Sequence, residues 1–221
     1  MIFIGLPILA RSSSLWVPEA TTISYEFHVD KDGQISRPII PRLALADKQG
    51  NDYGYVYPAK LEDKYLNEIK RTSTVLTGEL RERYQYHGPV RCDALILPDG
   101  RLFPMLELNA RHSFFYFIDS LHKKLSDQSV GLFCWFFFRT KKTLDFGKFI
   151  DKFIGKELLF SPKKKEGVIV PIWSTVQRTE SIKNVDDDDS LRRLFVFIIS
   201  SSYKGAINTA NVINKNIDKG V

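Results

Sequence analysis

Apolar and polar residues alternate through residues 23–30 (ISYEFHVD), the two-residue period of a half-buried strand. Lys31-Asp32-Gly33 follows as a turn, and the apolar stretch that resumes at Ile35 predicts a hairpin. Pro38 and Pro41 break regular structure beyond it, and another extended stretch covers residues 53–57, ending at Pro58. The period then lengthens. Leu61, Tyr65, Leu66, Ile69, Thr72, Leu76 and Leu80 recur at spacings of three and four, which places them on one face of a helix over residues 61–84. Gly78 is a weak point inside it. His87-Gly88-Pro89 ends it, because glycine suits the C-terminal cap and proline cannot continue a helix.

Residues 89–97 and 102–109 read as two strands joined through Pro98-Asp99-Gly100, a second hairpin signal. The pattern then predicts a helix over 114–125, a strand over 130–138 and a helix over 144–154. Strands over 168–173 and 194–200 and a helix over 204–217 complete it, with no internal repeat. Hairpins mixed with helices predict an α+β chain of mixed α/β character and exclude an all-α or all-β one.

A chain of 221 residues has room for one full domain or two small ones. Its 43% hydrophobic and 26% charged residues exclude disorder, collagen and coiled coil. The net charge of +6 is mild and suits anionic ligands such as nucleotide phosphates as well as nucleic acid. The aromatic residues Phe114, Phe115 and Phe117 and the run 133–138 have no basic residues interleaved, so they read as core, and no nucleic-acid partner is expected. Cys92 and Cys134 are too few for a disulfide framework and lie in apolar surroundings, which predicts buried free thiols in a reducing, cytoplasmic compartment.

No apolar run approaches the ~20 residues of a membrane helix, so no membrane is expected. Residues 131–138 (GLFCWFFF) read as a buried strand. Residues 1–10 are apolar but lack the preceding positive charge and the cleavage site of a signal peptide, and are expected to form a buried strand or irregular segment. Lys163-Lys164-Lys165 and the acidic run 186–189 read as solvated loops. The four histidines, His28, His87, His112 and His122, make no metal-ligand spacing with the cysteines, and Ser12-Ser13-Ser14 lacks the context of a nucleophile elbow.

Candidate chemistry concentrates in residues 88–111 (GPVRCDALILPDGRLFPMLELNAR). Strand side chains alternate in direction, so Arg91 and Asp93 share a face, as do Glu107, Asn109 and, if the strand persists, Arg111. Folding the hairpin brings Asp93, Glu107 and Asn109 to one polar spot flanked by Arg91 and Arg111, while Ala94, Ile96, Leu106 and Leu108 turn to the core. Two carboxylates and an amide oxygen suit Mg²⁺, which takes hard oxygen ligands along with substrate phosphates and water. The two arginines suit a terminal phosphate and the charge that develops during its transfer.

The segment resembles the catalytic C-terminal lobe of the ATP-grasp superfamily, which includes D-alanine–D-alanine ligase, biotin carboxylase and carbamoyl phosphate synthetase. The resemblance rests on Arg91-Cys92-Asp93, then Asp99-Gly100, then Glu107-Leu108-Asn109-Ala110-Arg111, and covers roughly residues 20–112 in outline. It implies an antiparallel sheet with flanking helices, ATP and Mg²⁺ (Mn²⁺ as an alternative) as cofactors, and Asp93, Glu107 and Asn109 as metal ligands. It further implies cofactor contacts from Glu107, Asn109 and Arg91, and a catalytic role for Arg91 and Arg111 at phosphate or the acyl-phosphate intermediate. Residues 1–112 would form a partial catalytic lobe, and residues 113–221 would complete the lobe or form a small appended α/β unit.

The family's phosphate-contacting lysine, glycine-rich loop and adenine-reading hinge have no recognisable counterpart before Ile23, so the chain is expected to begin inside the second lobe. Trp16-Val17-Pro18-Glu19 is the one candidate remnant of the hinge. Two readings follow. One is an ATP- and Mg-dependent carboxylate–amine ligase, or its catalytic half, with small-molecule carboxylate and amine substrates and a second chain supplying the missing lobe. The other is a truncated or degenerate ATP-grasp module that binds a nucleotide or a partner chain without turnover.

Overall fold

The computed structural model describes residues 20–46, 52–125, 129–139, 145–173, 176 and 191–220. The expectations for residues 1–10, 12–14, 16–19 and 186–189 fall outside them. The strands are β1 (Thr21–Val29), β2 (Ile40–Ala46), β3 (Asp52–Tyr57), β4 (Gly88–Ile96), β5 (Leu102–Asn109), β6 (Val130–Arg139), β7 (Gly167–Ile172) and β8 (Leu191–Ser200). The helices are α1 (Asp63–Tyr84), α2 (Phe114–Leu125), the single turn α3 (Phe146–Phe149) and α4 (Tyr203–Gly220). All eight strands join one sheet in the order β5-β4-β1-β2-β3-β6-β8-β7. Every neighbouring pair is antiparallel, so the chain is α+β, and the strands that follow residue 113 continue the sheet begun before it.

The register divides the side chains between two faces. Ile23, Leu43, Val56, Leu132, Ile198 and Val168 lie opposite one another across six strands. On this face α1 packs Ile69 and Leu80 on Tyr25, Phe27, Val90 and Cys92. Farther along, α4 packs Ala206, Ala210 and Ile213 on Cys134, Val196 and Ile198, next to Phe149 and Phe153. The opposite face holds Ser24, Asp93 and Glu107 in one cross-strand row, and Tyr55, Phe133 and Phe197 in another. Phe115 and Ile118 of α2 cover its aromatic part, and Ser24, Glu26 and Arg42 beside it are buried too. Both cysteines are buried and unbridged, and burial pushes the Cys92 thiol up to about 12.

The sequence pattern misplaces four features. The turn after β1 forms, with the Asp30 carboxylate accepting from the backbone N–H groups of Asp32 and Gln34, but only an isolated bridge joins Val29 to Ile35. The partner strand begins at Ile40 and includes Pro41, whose carbonyl accepts from Ala59 N at 3.0 Å. The helix expected to end at 154 has one ordinary turn and then widens over Ile150–Ile154, where Gly155 N donates to Ile150 O at 2.8 Å. Leu106 does not reach the core. The β4–β5 register shifts between Asp93 and Leu95, which face Glu107 and Phe103 respectively, and the bulge leaves Leu106 48% exposed. Phe117 and Phe137 are also exposed, whereas Phe115 and Phe133 are core. No helix among the described residues is long and apolar enough to cross a membrane.

Two glycines separate close packing from backbone entropy. A Cβ on Gly54 would stand 2.8 Å from both Cys134 Cβ and Phe133 O, in the middle of the sheet. At Gly78, on α1, it would meet nothing within 4 Å. Gly54→Ala is expected to lower stability by about 1–3 kcal/mol through overpacking. Gly78→Ala is expected to raise it by about 0.5–1 kcal/mol. Urea unfolding of the two variants checks both signs.

Candidate functional site

β4 and β5 bring the sequence-predicted residues to one face. Asp93 stands opposite Glu107, and Arg91 opposite Asn109. The Arg91 guanidinium donates to Asp93 Oδ1, from Nη2 at 2.8 Å and from Nε at 3.2 Å, and Nε also donates to Ser24 Oγ at 2.9 Å. Its guanidinium carbon lies over the Phe115 ring, 5.1 Å from the centroid. Strand pairing ends at Asn109, but Arg111 turns back, its Nη2 donating to Asn109 Oδ1 at 3.3 Å. Arg111 is exposed, as is Glu107, whose carboxylate has no partner among the described residues.

Among the described residues no three His, Cys, Asp or Glu side chains gather around a metal position. The available donors are the free Glu107 carboxylate, the Asp93 carboxylate with one oxygen on Arg91, and the Asn109 amide oxygen. One or two carboxylates supplemented by neutral oxygen is the donor set Mg²⁺ accepts, so these residues fit it.

Beside this cluster lies a network that the sequence pattern does not reveal. Arg42 of β2 is completely buried, and its Nη2 donates to Glu26 Oε2 of β1 at 3.1 Å and to Asp119 of α2. The Ser113 hydroxyl donates to the other oxygen of Glu26 and accepts from Phe115 N at 3.1 Å, so the start of α2 is bound to the same carboxylate. The Arg42 guanidinium also lies 4.8 Å from the Phe115 ring centroid. Arg42 Nε and Nη1 and Asp119 Oδ1 are buried without a hydrogen-bond partner among the described residues. Burial pushes both carboxyls above the usual carboxylate range, with Arg42 opposing the shift at each and Asp119 reinforcing it at Glu26. Glu26 faces Arg91 across the β1–β4 ladder, which makes the network continuous with the cluster. The only sequence signal is an arginine inside the apolar run IIPRLALA, since a charge in a central strand must be paired.

Removing Arg42 alone leaves two carboxyls buried together. Arg42→Met is therefore expected to cost about 3–5 kcal/mol. Adding Glu26→Gln and Asp119→Asn to it should recover most of the loss, as measured by denaturant unfolding. The raised carboxyls also set a pH slope. Above the ordinary carboxylate range the native chain holds more protons than the unfolded one, so their contribution weakens as pH rises. Unfolding free energies collected between about pH 4 and 8 should show this decline, and Glu26→Gln with Asp119→Asn should flatten it.

No protein-family model and no curated protein matches the sequence. Solved structures do match the fold. Biotin carboxylase from Campylobacter jejuni, in complex with an ATP analogue, superposes with a TM-score of 0.57 at 10% identity, over 91% of this chain and 46% of that one. Rhizobium etli pyruvate carboxylase gives 0.55 at 13% identity over 88% and 19%. Carboxyaminoimidazole ribonucleotide synthase from Aspergillus clavatus, complexed with ATP, gives 0.54 at 9% identity over 90% and 50%. The chain thus spans half or less of the length of these structures. With its single antiparallel sheet and its hairpin of facing polar residues, it has a partial ATP-grasp fold.

Proposed function

We propose that the chain is an ATP- and Mg²⁺-dependent carboxylate–amine ligase, or the catalytic half of one. The observation that carries this reading is the cross-strand quartet Arg91, Asp93, Glu107 and Asn109, with Arg111 folded back on it, within a partial ATP-grasp fold. Glu107, Asn109 and Asp93 would hold Mg²⁺, which when bound neutralises phosphate charge. Arg111, exposed and tethered among the described residues through Asn109 alone, can turn its guanidinium toward a transferred phosphate. Arg91 is fixed by Asp93 and Ser24 and contributes a preorganised positive charge.

In the proposed reaction the γ-phosphate of ATP passes to a substrate carboxylate oxygen, giving an acyl phosphate and ADP. An amine then attacks the acyl carbon, the C–O bond to phosphate breaks, and inorganic phosphate leaves as the amine loses a proton. The protein's contribution is position and charge. In this reading residues 113–221 complete the lobe, and the other lobe comes from a second chain or from further polypeptide.

A second reading has its own support. Asp93 is paired with Arg91 and Asn109 with Arg111, so two of the three metal donors already have protein partners. That arrangement also fits a non-catalytic module that binds nucleotide or a partner chain.

Arg111→Ala and Glu107→Gln, made with the complementary lobe present, separate the readings. The ligase reading expects Arg111→Ala to cut ADP release coupled to amide formation by about 100-fold. The melting temperature should barely change, since an exposed pair contributes on the order of 1 kcal/mol or less. Glu107→Gln is expected to weaken Mg²⁺-dependent nucleotide binding. Nucleotide binding without any Arg111-dependent turnover would favour the module.

A further inference from the structure

A groove of about 780 Å³ opens on the α2 face, between the β1–β2 connection and α2. That volume accommodates a small molecule. Its walls are apolar and aromatic, from Ile40, Tyr57, Pro58, Pro89 and Tyr116. Its floor reaches Glu26 and Asp119, both already engaged by Arg42. The rim has the opposite charge. Arg37 comes from the connection and Lys123 from α2, and both are exposed, with no ion-pair partner among the described residues. The Arg37 guanidinium lies 4.6 Å from the centroid of the Tyr116 ring. Stacking of that kind occupies the flat face of a guanidinium and leaves its N–H edge for an acceptor.

We propose that this groove binds a small organic anion, its carboxylate or phosphate held between Arg37 and Lys123 and its apolar body against Tyr57 and Tyr116. The free charges at the mouth are cationic, whereas the acids at the floor are shielded by burial and by Arg42, so charge selection takes place at the rim. None of Asp93, Glu107 and Asn109 lines the groove. Its floor residue Glu26 faces Arg91 and lies two strand spacings, or about 10 Å, from Asn109. The inference therefore stands without the ligase reading.

4-Hydroxyphenylacetate and tyramine share a ring and a hydroxyl and differ in the charge of the end group, so titrating each against the intact chain by calorimetry tests the rim. The acid is expected to bind at least tenfold more tightly than the amine. Arg37→Ala and Lys123→Ala should each weaken it by about tenfold, the scale of one charge-assisted contact, without shifting the melting temperature. Tyr116→Ala should also weaken it, and Glu107→Gln should not. Phenyl phosphate is the second anion, and tight binding of either anion supports the site while their order names the preferred end group. No binding of either anion, equal binding of tyramine, equal binding of inorganic phosphate, or indifference to Arg37→Ala would overturn the proposal. Binding of the acid without binding of Mg·ATP, the latter measured with the complementary lobe present, would keep this site and count against the ligase, and the converse would remove this site alone.

Discussion

Arg42 is the residue around which the α2-covered face of the sheet is built. A guanidinium with no exposure must be compensated where it sits, because an unpaired buried charge costs several kcal/mol. The compensation comes from two elements distant in sequence, Glu26 on β1 and Asp119 on α2. Moving α2 away would strand one of the three charges. The position of this helix on the sheet is thus set by charge pairing as well as by the burial of Phe115 and Ile118. Ser113 extends the constraint to the first turn of α2, four residues beyond Asn109.

The face that results is divided. Toward β5 it carries Ser24, Arg91, Asp93, Glu107 and Asn109, and toward β8 it carries Tyr55, Tyr57, Phe133 and Phe197. Arg42 stands where the two halves meet, near the Phe115 ring on one side and paired with Glu26 on the other. Arg91 repeats the arrangement two strands closer to the edge, with its guanidinium over the same ring and its nitrogens on Ser24 and Asp93. The arginines let an aromatic core pass into a charged surface without leaving a carboxylate against apolar carbon.

The hairpin that carries Arg91, Asp93, Glu107 and Asn109 was legible because everything that defines it is local: two-residue alternation, a Pro-Asp-Gly turn and charges at matching spacings. α1 was legible for the same reason, through its three- and four-residue period. What stayed hidden depends on residues far apart. β2 includes a proline and follows another, and its existence rests on pairing with β1 and β3 on both sides. Arg42 and Asp119 lie 77 residues apart, and no periodicity joins them. Leu106 fits the alternation, yet the bulge in β5 turns it outward, and a bulge is set by the partner strand as much as by its own sequence.

Glu107 and Asn109 lie on an edge strand of the sheet, which pairs among the described residues with β4 alone. Asp93 and Arg91, directly opposite, lie on a strand laddered on both sides. The two halves of one polar cluster are therefore held with unequal stiffness. Local opening of an edge strand costs less free energy than global unfolding, while an interior strand opens closer to the global limit. The inner half acts as a fixed reference and the outer half can yield, so a ligand arriving at this cluster meets one rigid jaw and one compliant one.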